Sequence, residues 1–167
     1  MERYEDFWHV TEAALRTSLQ VLSIQATEGQ IQRLMDAYLR PSAFADVKAS
    51  LEALKGSPLA ILSNGSPKML DAAVRGNGLE SYFTEIISVD RVKTYKPSPR
   101  VYALGPELLN LRAEEILFVS SNLWDAAGAK AFGYPVCWCN RSGEDAEDWG
   151  FAPDFTVQQL DHIALAL

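Results

Sequence analysis

Three groups of polar side chains in this sequence each follow a short apolar run. Ser63 and Asn64 come directly after Leu59-Ala60-Ile61-Leu62. Lys96 lies in a loop that follows Glu85-Ile86-Ile87-Ser88-Val89. Ser120, Ser121, Asn122 and Asp125 follow Ile116-Leu117-Phe118-Val119. Hydroxyls and amides can hold an anion or a departing charge. A lysine supplies positive charge, and one carboxylate can hold that lysine or activate water. Each group alone carries little information. Ser and Asn are ordinary turn residues, Asp caps helices, and most lysines are solvated. Repetition of the pattern after successive apolar runs is what points to a site.

The elements that must position these groups are legible in the chain. From Pro58 onward, short apolar runs alternate with helical patterns. Leu59–Leu62 reads as a strand, and Pro67 stands at the first position of a helix capped by Ser66 and running to about Asn77. Residues 85–89 read as the next strand and residues 98–110 as a helix. Ile116–Val119 is short and continuous, as in a strand buried on both faces. The helix from Ala126 to Phe132 has small residues that allow close packing, and Gly133 ends it. Residues 135–139 form another strand, 154–157 a short edge strand, and 158–166 a terminal helix. Four strand–helix alternations predict right-handed crossovers and an α/β fold, a Rossmann-like parallel sheet with helices on both faces. The carboxyl ends of parallel strands share one edge, so the three polar groups can converge on one crevice there.

The first part of the chain lacks strands. Residues 3–24 show apolar positions at helical spacing, among them Phe7, Val10, Leu15 and Leu22. Thr27-Glu28-Gly29-Gln30 has the form of a capping box for a second helix that Pro41 closes. A third helix spans about 45–55, with Gly56 as its stop. This organisation predicts a helical accessory over residues 1–42 and an α/β core over 43–167.

Bulk properties exclude several classes. An apolar fraction of 48% and a charged fraction of 22% are those of an ordinary globular protein. A formal charge of −7 with no basic run argues against nucleic-acid binding. No apolar stretch is long enough to span a bilayer and no signal peptide is visible, which leads to the expectation of a cytoplasmic protein. Cys137 and Cys139 sit two apart in Val-Cys-Trp-Cys and would face one side of a strand, a poor geometry for a disulfide. Buried free thiols are the better reading, and there is no zinc-type spacing.

The ordered set of motifs resembles the haloacid dehalogenase superfamily. Leu62-Ser63-Asn64-Gly65-Ser66 is similar to its second motif, Tyr95-Lys96-Pro97-Ser98-Pro99-Arg100-Val101-Tyr102 to its third, and Phe118-Val119-Ser120-Ser121-Asn122-Leu123-Trp124-Asp125 to its fourth. The two Ser-Asn turns and the Arg3-Tyr4-x-x-Phe7 start resemble one branch, the L-2-haloacid dehalogenases. Phosphatases of the superfamily carry a magnesium-binding Asp where this chain has Ser121. A hard dication prefers carboxylate oxygens, so the resemblance implies a metal-independent reaction without cofactors.

The resemblance implies roles residue by residue. Ser63 and Asn64 would bind the carboxylate of a small 2-haloalkanoic acid. Lys96 would balance charge, and Tyr102 would hydrogen-bond within the site. Ser120, Asn122 and Asp125 would orient the nucleophile, Lys96 and the hydrolytic water. Trp124 and Phe7 would line the apolar side and the halide cradle. The family also uses an attacking Asp in an Asp-x-Tyr-Gly-Thr-like motif at the end of its first strand, between the strands ending at Leu62 and Val119. No such motif occurs in this sequence. The expectation is therefore a defective sheet without that strand, no dehalogenation by the chain alone, and Asp90 as the first other carboxylate to check. A homodimer is what the family suggests. Two alternative readings stand beside the dehalogenase: a superfamily phosphatase, and a non-catalytic binding or assembly protein derived from the same fold.

Overall fold

The computed structural model describes residues 4–146 and 150–163. It opens with a helical hairpin, α1 (Phe7–Val21) and α2 (Glu28–Ala37). Asp6 caps α1 by accepting the His9 amide at 3.0 Å. Thr27 and Gln30 form the capping box that their spacing predicts. The short helix α3 (Val47–Ala53) follows. It stops before Gly56, with Leu54 rather than a glycine at its C-cap.

The strands are parallel and belong to two separate sheets. β1 (Ala60–Ser63) pairs with β2 (Glu85–Ser88), with Ser63 opposite Ser88. β3 (Phe118–Ser120) pairs with β4 (Val136–Cys139), which pairs with β5 (Phe155–Val157). Among the described residues, β1 and β3 each have one edge without a strand partner, and these two edges do not pair with each other. This corrects the reading of β3 as buried on both faces. Val119 is 37% exposed, as an edge position allows.

Helix α4 (Pro67–Gly76) follows β1, with Ser66 at its N-cap and Pro67 at its first position. The helix expected over 98–110 is two pieces, α5 (Pro99–Tyr102) and α6 (Leu104–Leu109). Pro106 has no amide proton to donate to the carbonyl of Tyr102, four residues back. That carbonyl accepts the Tyr134 hydroxyl instead, at 2.6 Å. Helix α7 (Leu123–Phe132) follows β3 and ends at Gly133, whose φ of 118° suits a residue without Cβ. Past β5, Leu160–His162 forms a single 3-10 turn; residues 158, 159 and 163 of the terminal helix expected there are not helical, and 164–166 lie outside the described residues. Cys137 and Cys139 are buried free thiols. No helix among the described residues is long and apolar enough to cross a membrane.

The main core holds Tyr102, Phe118, Ala126, Ala129, Tyr134 and Val136, so it lies between α5, α7 and the β3–β4 sheet. A second core joins Leu51 of α3 to Val74 and Leu79 beside the β1–β2 sheet. The helical hairpin is fastened to the rest at both ends. Tyr4 donates its hydroxyl to Asp90, and the Tyr95 hydroxyl donates to the Glu5 carbonyl at 2.6 Å. At the return, the Asn77 side chain donates to the Pro41 carbonyl at 2.8 Å and accepts the Ala43 amide at 2.9 Å.

Candidate active site

Asp125 is the centre of the polar cluster. It lies in the first turn of α7, where the helix dipole favours negative charge. Its Oδ2 accepts Lys96 Nζ at 2.9 Å and Ser120 Oγ at 3.0 Å. Its Oδ1 accepts the Tyr102 hydroxyl at 2.9 Å. The carboxylate has about four lone-pair sites, and three are engaged by side chains. It is therefore a fixed anion that anchors a cation, and is poorly placed to act as a free base.

The Lys96 and Asp125 side chains are each only 7% exposed. Burial pushes the Lys96 ammonium below its ordinary pKa, while Asp125 works in the opposite sense without cancelling the effect. The ammonium also stands 4.9 Å from the centre of the Phe118 ring, which favours a cation. An ammonium has three N–H donors. Among the described residues one of them is engaged, by Asp125, and two are left for another ligand. The Tyr102 hydroxyl is held far above its usual pKa, first by burial and then by the charge of Asp125, so it stays a donor.

The three strand ends meet through short bonds. Asn64 Oδ1 accepts the Lys96 amide at 3.0 Å, tying the loop after β2 to the turn after β1. Ser63 Oγ accepts the Gly65 amide at 3.0 Å, and Ser88 donates to the Gly65 carbonyl at 2.7 Å. In the third turn, Ser120 Oγ accepts the Asn122 amide at 3.2 Å. The expected group of Ser63, Asn64, Lys96, Tyr102, Ser120 and Asp125 is thus one connected region at the carboxyl edge.

The side chains of other expected residues stand apart from that network. Asn122 is exposed and caps α7 without a side-chain bond. Trp124 is 36% exposed. Phe7 packs its ring edge against Tyr95, next to Lys96, at 6.2 Å between centroids. Asp90 is occupied at the root of α1, where one oxygen accepts Tyr4 and the other faces Lys93 at 3.4 Å. Among the described residues no group of three or more His, Cys, Asp or Glu side chains is arranged to hold a metal ion.

Sequence reasoning missed a supporting layer. The Trp138 indole donates to the Ser121 carbonyl at 3.1 Å and so braces the turn that carries Ser120. Tyr134 holds the Tyr102 carbonyl, and its hydroxyl, raised to about 12 by burial, stays protonated to do so. The hint in the sequence was that Tyr134 precedes an apolar strand and Trp138 lies within it.

Comparison with known proteins places this arrangement. The family model described as haloacid dehalogenase-like hydrolase matches residues 1–133. The chain belongs to that family. It is 48% identical over 162 residues to the (S)-2-haloacid dehalogenase of Pseudomonas sp. strain YL, covering 96% of this chain and 70% of that protein. It is 45% identical over 165 residues to haloacetate dehalogenase H-2 of Moraxella sp. strain B, covering 98% of this chain and 74% of that one. A crystal structure of an L-2-haloacid dehalogenase superposes with a TM-score of 0.97 at 39% identity, covering 99% of this chain and 74% of the other. The L-2-haloacid dehalogenase from Xanthobacter autotrophicus with chloropropionic acid covalently bound superposes with a TM-score of 0.90 at 37% identity, covering 98% and 76%. This haloacid dehalogenase-like chain thus spans about three quarters of each of these relatives.

Proposed function

We propose that the protein serves the hydrolytic dehalogenation of L-2-haloalkanoic acids, giving the 2-hydroxy acid and halide. One observation carries this reading: a buried ammonium, Lys96, fixed by Asp125 with two donors unspent among the described residues, at the edge where the loop after β2 reaches the turns after β1 and β3. A small carboxylate or a departing halide is the kind of partner such a cation takes.

In this reading Ser63 and Asn64 contact the substrate carboxylate and Lys96 offsets its charge. Tyr102, Ser120 and Asp125 hold Lys96 in place, Asn122 orients the attacking group, and Phe7 and Trp124 bound the apolar side. The attacking group is the Asp of the Asp-x-Tyr-Gly-Thr-like motif that this sequence does not contain: its carboxylate oxygen attacks the α-carbon, the carbon–halogen bond breaks, and the electron pair leaves with the halide. Water then adds to the carbonyl carbon of the resulting ester. The 2-hydroxy acid departs, the carboxylate is restored, and one proton is released. Residues 1–42 act as a cap over a core of 43–167, no metal takes part, and the protein works as a cytoplasmic homodimer.

The test is calorimetric titration of the chain with L-2-chloropropionate and with the hydroxy acid product, beside the Lys96→Ala variant. Binding that weakens at least tenfold in Lys96→Ala is expected. Equal binding by both proteins, or magnesium-dependent turnover of a phosphate ester, would sink the reading.

A further inference from the structure

Helix α7 carries Asp125 on one turn and Gly128 on the next. A Cβ built on Gly128 would lie 2.5 Å from the Tyr102 hydroxyl, 3.1 Å from Tyr102 Cζ and 3.1 Å from Pro97 Cβ. Both neighbours belong to the site. The Tyr102 hydroxyl is a donor to Asp125, and Pro97 immediately follows Lys96. Tyr102 cannot easily withdraw, because it is fully buried, its carbonyl is held by Tyr134, and its ring packs against Phe118 and Phe132. Its hydroxyl also reaches the Asp125 carbonyl at 3.3 Å, so the ring tip lies directly against the helix backbone. Helix propensity does not explain a glycine here, since an interior glycine is less favourable than alanine by about 1 kcal/mol.

We infer that Gly128 is a positioning residue: its missing side chain is the space in which the Tyr102 hydroxyl and the Lys96–Pro97 loop both reach Asp125. The inference deepens the proposed function, because it concerns the same Lys96–Asp125 pair. A methyl at 128 moves Tyr102 and Pro97 away from α7. Asp125 then loses one of its three donors, and the Lys96 ammonium loses its fixed place. Gly76, near the end of α4, is a built-in control, because a Cβ there meets nothing within 4 Å.

The experiment is a double-variant cycle by urea unfolding on Gly128→Ala, Tyr102→Phe and the pair, with Gly76→Ala as control. Phenylalanine removes the oxygen that a methyl at 128 would strike. The expected result is that Gly128→Ala lowers the folding equilibrium constant at least tenfold while Gly76→Ala does not. Adding Tyr102→Phe should recover at least tenfold over the product of the two single effects. Independent effects in the cycle would overturn the inference, as would a neutral Gly128→Ala. Should Gly128→Ala fail to fold, a cooperative transition in the double variant supports the inference, and its absence overturns it. A second readout is the 13Cε titration of Lys96 by NMR. It should move in Gly128→Ala and not in Gly76→Ala; an unmoved Lys96 curve removes the positioning role. Neither readout needs substrate, so failure of the dehalogenase reading would leave both interpretable.

Discussion

Replacing Asp125 by alanine tests the site most directly, because the outcome follows from counted partners. The substitution leaves the Lys96 ammonium buried beside Phe118 without its counter-charge, and it takes the carboxylate acceptor from the Ser120 hydroxyl and from that of Tyr102, which keeps the backbone carbonyl of residue 125 at 3.3 Å. Breaking a buried ion pair from one side costs about 3–5 kcal/mol. Each hydroxyl left without an acceptor adds about 1–3 kcal/mol, although neighbouring terms in one network do not sum. Lys96 has an escape, which is to give up its proton. Its pKa is already lowered by burial, and losing Asp125 removes the opposing influence, so it falls further. Between that lowered value and the ordinary lysine value, the unfolded chain binds a proton that the folded one does not. Stability then rises with pH across that window. The expected result is a loss of about 3–5 kcal/mol at pH 7 that narrows as the pH is raised toward 10. Urea unfolding of native protein, Asp125→Ala and Asp125→Asn at both pH values measures it. Asparagine keeps an acceptor for Tyr102 and separates the hydrogen-bond loss from the charge loss. A loss of less than about 1 kcal/mol at pH 7, the size expected of an exposed pair, would refute the buried-pair reasoning, as would a loss independent of pH.

Further outcomes follow from the same contacts. Tyr134→Phe leaves the Tyr102 carbonyl without its donor while keeping the ring, and is expected to lower stability by about 1–3 kcal/mol in urea unfolding. The purified 167-residue chain is expected to release no halide from 2-chloropropionate, because Asp125 is engaged by three donors and Asp90 by Tyr4 and Lys93. A halide electrode, with and without an added peptide carrying an Asp-x-Tyr-Gly-Thr segment, reads this, and turnover by the chain alone would assign the attack to one of its own carboxylates. Asp46 is lowered in pKa: burial raises it, but the Leu160 amide and Arg141 outweigh burial. A depressed carboxyl contributes stability that is lost as the pH falls through its folded value. The protection factor of the Leu160 amide should therefore fall, as the pH drops through the lowered Asp46 value, before that of the β3–β4 ladder, and simultaneous loss would show that this contact is not a separate unit.

Much of the chain's organisation is set by short-range chemistry and can be read from the sequence. The capping box at Thr27–Gln30, Pro67 at the start of α4 and Gly133 at the end of α7 act within a single turn. Apolar runs ending in Ser63 and Ser120 mark strand ends because the apolar residues pair and pack while the polar groups that follow turn the chain. Which of those polar groups touch was decided elsewhere. Asp125 meets Lys96 and Tyr102 across separations of 29 and 23 residues, and no periodicity encodes such distances. The outward placement of Asn122 and Trp124, in the same turn as Ser120 and Asp125, depends on how α7 docks against β3 and α5. The break in the 98–110 helix needed Pro106, visible in the sequence, and also the Tyr134 hydroxyl that takes over the freed carbonyl, which is not. Gly128 reads only as one small residue among several. Its meaning appears when the Tyr102 hydroxyl is found in the space that its side chain would fill. Local hydrogen bonding and burial write the elements into the sequence, whereas contacts between elements arise from packing that no single segment contains.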